Sequence, residues 1–176
     1  MLIYGEGTNL VQPGQYCILE ENGNNKIFKR TTLANGKDIW VIAHHWESDE
    51  FLAYLVSENG VEKQPIVSKV GSIHGGKVLN TQGYLKGNPD GSNLAMALEA
   101  DQILELFDFD NSTGKVSKPI KVIFPEASYI YGIEFSPNGS LLYVSAAGVG
   151  EIYQFNLQLE TDEEIQKSML KVGASP

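Results

Sequence analysis

Short runs rich in Val, Ile, Leu, Tyr and Phe follow one another along the chain, each broken by Gly, Asn, Asp or Pro. Examples are KIFKRTTL (26–33), DIWVIAHHW (38–46), FLAYLVS (51–57), NLAMAL (93–98), ILELFDFD (103–110), LLYVSAA (141–147) and EIYQFNLQL (151–159). Thirteen such runs, with connections short enough for hairpins, predict an all-β meander. One stretch departs from this. Thr161 with Glu164 three residues on forms a capping box, and Ile165 and Met169 fall on one helical face, which predicts a short helical insert near 162–168.

The pattern repeats. GYLKGNPDG (83–91) aligns with YGIEFSPNG (131–139), each a strand followed by X-Pro-Asp/Asn-Gly and a second strand. ELFDFD (105–110) then matches EIYQFN (151–156), and an earlier copy without the proline begins at Ala34-Asn35-Gly36-Lys37. Three four-stranded units result, at roughly 28–70, 80–124 and 128–173, with 1–27 read as remnant strands of a preceding blade. Four strands per 40–50 residues is the signature of a β-propeller, whose units bury their sheet faces only by stacking. The fold expected is therefore a partial β-propeller of about three to three and a half blades.

The run FSPNGSLLYVSAAGVGEIYQFNL resembles the blade consensus of the YVTN and WD40-like propeller group, with Tyr143-Val144-Ser145-Ala146 at the Tyr-Val-Thr-Asn position. The longer series from NGKDIWVIAHHW through LFDFDNSTGKVS to YGIEFSPNGSLLYVS resembles the propeller region of gliding-motility-associated Bacteroidetes surface proteins with a C-terminal sorting domain. That resemblance covers the chain from about residue 14 onward. It implies a ring of about seven blades in a longer, exported or cell-surface protein.

Composition narrows the partners. Thirteen Lys and Arg against 22 Asp and Glu give a formal charge of −9, and the cations are scattered. Phosphate-rich partners need a positive stripe, so nucleic acid and anionic membrane surfaces are disfavoured. No run approaches the roughly 20 apolar residues of a membrane helix, so membrane insertion is not expected. The N-terminus lacks the features of a signal peptide. Cys17 is the one cysteine, so no internal disulfide forms.

Three stretches invite chemistry. DFDNSTGK (108–115) carries two aspartates, but a calcium loop wants Gly at position 6 and Glu at position 12, where Thr113 and Pro119 stand. Its repeat counterparts are Gln154 and Asn156, so a hairpin turn is expected instead. His44-His45-Trp46-Glu47 lies at a strand end. Adjacent strand residues point to opposite faces, so the two histidines do not chelate one ion, whereas His44 and Trp46 share a face with Ile42. Gly71-Ser72-Ile73-His74-Gly75-Gly76 lacks the phosphate-loop pattern and is expected to be a blade connector with Ser72 and His74 accessible. No serine sits in a nucleophile elbow.

No catalytic residue, metal or cofactor is assigned from these stretches. His44, Trp46, Ser72 and His74 are kept as ligand-facing candidates. The main expectation is a non-enzymatic interaction scaffold with an unspecified protein or glycan partner. The alternative is a propeller hydrolase of lactonase type, with His44, His74 and Glu134 facing the channel. The shortness of the repeat array suggests a fragment or truncated product whose open flanks are covered by self-association, two copies supplying about seven blades.

Overall fold

The computed structural model describes residues 18–21, 24–32, 37–125, 128–159 and 161–175. The fold is all-β, a partial propeller of three antiparallel sheets. The first is built on β2 (Asn24–Thr32), β3 (Ile39–His44), β4 (Ser48–Ser57) and β6 (Ile66–His74). The short β1 (Ile18–Glu21) hairpins onto β2, and β5 (Gly60–Val61) pairs with the end of β4. β2 pairs with β3 from Phe28 to Thr32, and its first residues, Asn24 to Ile27, carry β1. Cys17 lies outside the described residues.

The second sheet runs β7 (Leu85–Gly87), β8 (Asn93–Leu98), β9 (Ile103–Asp110) and β10 (Lys115–Ile123). The third runs β11 (Ile130–Phe135), β12 (Leu141–Ala146), β13 (Glu151–Asn156) and β14 (Leu170–Ala174). Each sheet meanders from an inner to an outer strand. The two X-Pro-Asp/Asn-Gly turns close as expected: Gly91 N–H donates to Asn88 and Gly139 N–H to Ser136, both glycines at positive φ. The insert between β13 and β14 is α1 (Asp162–Lys167), with its capping box formed and Ile165 buried. No helix among the described residues is long and apolar enough to cross a membrane.

Strand parity sorts the cores. Ala95, Ala97, Leu104 and Leu106 of the second sheet meet Ile133, Phe135, Leu142 and Val144 of the third. Leu94, Met96 and Phe107, on the other face of the second sheet, meet Ile42, Phe51 and Ala53 of the first. Fully burying one Leu or Phe side chain contributes about 1.5–3 kcal/mol. The exposed Lys86–Glu134 ion pair, which joins β7 to β11, belongs to a class worth about 0–1 kcal/mol. Interblade packing, not charge, holds the sheets together.

DFDNSTGK is a hairpin turn between β9 and β10. Asp110 accepts from the Ser112 and Thr113 hydroxyls and from Ser112 N–H, at 2.6–2.9 Å. These bonds, led by that of Ser112, hold its carboxyl down to about 2. The turn also docks on the first sheet, where the Trp40 indole N–H donates to the Asn111 carbonyl at 2.9 Å.

Candidate functional site

The ends of β3 and β6 meet the middle of β9 in the gap between the first two blades. Pairing of β6 with β4 skips from Lys69–Glu50 to His74–Ser48, so residues 70–73 bulge out of the ladder. A bulge re-aims the chain, and here it carries the strand toward the second blade. Gly71, at φ +86°, leaves so little room that a Cβ there would stand 2.8 Å from the Phe107 ring. Ser72 N–H then donates to Glu105 Oε1 at 2.9 Å, and His74 Nε2 meets Glu105 Oε2 at 3.1 Å.

Glu105 and His74 are both buried, Glu105 at 1% exposure. Burial pushes the carboxyl up, but the bonds from His74 and Ser72 outweigh it, and Glu105 titrates below its ordinary range. An ionised Glu105 fixes the His74 tautomer with the proton on Nε2, leaving Nδ1 as the basic ring nitrogen. His44 stacks on His74 with ring centres 3.8 Å apart and planes 16° apart, and stands edge-on to Phe51. Burial first, with the adjoining His74 ring adding to it, holds His44 down to about 3. Its Nε2 is buried with no hydrogen-bond partner among the described residues.

A cleft of about 40 Å³ opens beside the two rings, lined by His44, Trp46, His74, Asn80, Gln82 and Met96. Its wall is the connector after β6, which holds a short 3-10 turn (Val78–Thr81). Asn80 clamps that turn to the second blade: its amide oxygen accepts from Ala100 and Asp101 N–H, and its amide nitrogen donates to Asp101 and Gly75. Lys77 adds an ion pair to Asp101 at 3.0 Å. The cleft has room for water-sized groups.

The structure thus brings His44, Trp46 and His74 together. Ser72 stands apart from the cleft, behind Glu105, with its hydroxyl accepting from Lys121 at 3.1 Å. Two expectations are corrected. The stretch 71–76 is not wholly a connector, because residues through His74 belong to β6; the bulged Gly71 gives it the look of a loop. The alternative's channel set also dissolves: His44 and His74 sit between blades on β3 and β6, whereas Glu134 pairs with Lys86 on the inner strands. Glu105 escaped the sequence reading. Its signal was a lone carboxylate on the otherwise apolar Ile103–Phe107–Phe109 face of β9, a position that demands a buried partner.

No protein-family model matches the chain, and no curated protein sequence matches it. Solved structures do. A candidate 6-phosphogluconolactonase from Bacteroides uniformis is 19% identical over 86% of this chain and 42% of its own, with a TM-score of 0.55. The periplasmic gluconolactonase of Pseudomonas aeruginosa is 12% identical over 85% of this chain and 41% of its own, at 0.53. The Swd1 β-propeller domain of Myceliophteria thermophila is 13% identical over 82% and 40%, at 0.50. These likenesses establish the propeller fold, and the chain spans about two-fifths of the length of each protein. The scaffold expectation is corrected on the same finding, since lactonases recur among the matches where a non-enzymatic scaffold was expected.

Proposed function

We propose that this chain is part of a propeller hydrolase of lactonase type, working from the gap between its first two blades and not from the channel. The observation that carries the reading is the buried Glu105–His74 pair, which frees Nδ1 as a base beside a water-sized cleft. In this reading His74 Nδ1 takes a proton from a water as its oxygen attacks the lactone carbonyl. Glu105 stabilises the imidazolium that forms. The ring C–O bond breaks, and the leaving oxygen recovers the proton from His74, giving the open hydroxy acid. The lactone itself is too large for the cleft and lies across its mouth beside Trp46.

Export from the cytoplasm belongs to the same proposal and is supported by the periplasmic enzyme among the matches. Kinship with gliding-motility surface proteins rests on the sequence runs quoted above. The test is hydrolysis of gluconolactone and its 6-phospho form by the purified chain, followed as acid release. The chain accelerates ring opening above the buffer rate, and Glu105→Gln, which keeps the shape, lowers the gain by about 10²-fold or more. A wild-type rate equal to that of buffer overturns the proposal.

A further inference from the structure

A second cleft lies at the opposite ends of β8 and β9, between the second and third blades. It measures about 430 Å³, within the range of small-molecule sites, where the cleft beside His74 admits only water-sized groups. Two departures from the repeat build it. Register slips between Ser117 and Ile120 of β10, where Lys118 takes φ +49° and Pro119 offers no N–H to the ladder. Across from this bulge, α1 intrudes between β13 and β14 and turns Ile165 into the gap.

The walls are apolar: Leu106 and Phe135 on one side, Leu157, Leu159 and Ile165 on the side of α1. The rim is charged. Lys118 is neutralised by Asp108 at 2.6 Å. On α1, Glu163 pairs with Lys167 and Glu164 closes the capping box. Asp162 is left as the rim carboxylate without an ion-pair partner among the described residues. We infer that this cleft binds an apolar organic monocation, its ring or chain against Leu106, Phe135 and Ile165 and its ammonium group at Asp162. The site is independent of the lactonase reading.

The probes are 3-phenylpropylammonium, the neutral 3-phenylpropanol and the anionic 3-phenylpropionate, titrated into the 176-residue chain and followed by amide NMR shifts. The cation binds tightest and the anion weakest, with shifts concentrated at Leu157, Leu159 and Ile165. Asp162→Asn weakens the cation about two- to fivefold, as loss of one exposed ion pair does, and leaves the alcohol unchanged. Leu159→Trp, which fills the mouth, removes binding of all three. The inference is overturned if the three probes bind alike to the native chain and to Asp162→Asn, or if the shifts map elsewhere.

Discussion

His44 is an uncharged ring at neutral pH, wedged between His74 and Phe51. An unfolded histidine titrates near 6.5, whereas the folded one is held at about 3. Between those values the unfolded chain binds the extra proton. The stability that His44 contributes is therefore complete above pH 6.5 and lost as pH falls toward 3, by up to about 1.4 kcal/mol per pH unit. Urea denaturation from pH 7 to pH 4 shows a falling midpoint, and His44→Phe flattens that slope; an unchanged slope refutes the assignment. His44 stood out in the sequence at a strand end, and His74 in a glycine-rich stretch expected to connect blades. Glu105 did not, because its strand was read against its repeat, where Glu151 keeps the residue type but serves Tyr153 and Lys171 at the surface.

Strands and turns were legible wherever Pro, Asn and Gly mark a hairpin, as at Asn88–Gly91 and Ser136–Gly139. The capping box at Thr161 was legible for the same reason: its chemistry is local. The end of β6 was not. Gly71 reads as a loop residue because glycine permits positive φ, but here it serves close approach between two sheets. Gly71→Ala sets a methyl group against Phe107 and forces φ +86° on an L-residue, which destabilises the fold by roughly 1–3 kcal/mol in urea titrations. Phe107→Leu in the same chain recovers part of that loss through added room. A variant as stable as the parent shows that the sheets do not approach so closely.

The propeller class was legible at the scale of the molecule because the repeat is periodic. The Glu105–His74 pairing was not, because its two groups come from different blades, 31 residues apart. The open face of the third sheet bears on assembly. Leu106, 6% exposed, docks the second sheet on the third, while its repeat counterpart Ile152 is 45% exposed, with Leu170 at 57% nearby. Self-association of the chain follows as a proposal from that face. Sedimentation at micromolar concentration gives a dimer, which Ile152→Glu with Leu170→Glu disperses; a parent chain that sediments as a monomer refutes it. The buried Glu105–His74 bond carries one more consequence. Repeats built to one plan invite shuffling, whether by gene recombination or by an engineer exchanging blades. A second blade placed after any sheet that lacks a histidine at the His74 position buries its carboxylate without its side-chain partner, at a cost of several kcal/mol. One acid thus makes the blades non-interchangeable and writes their order into the ring.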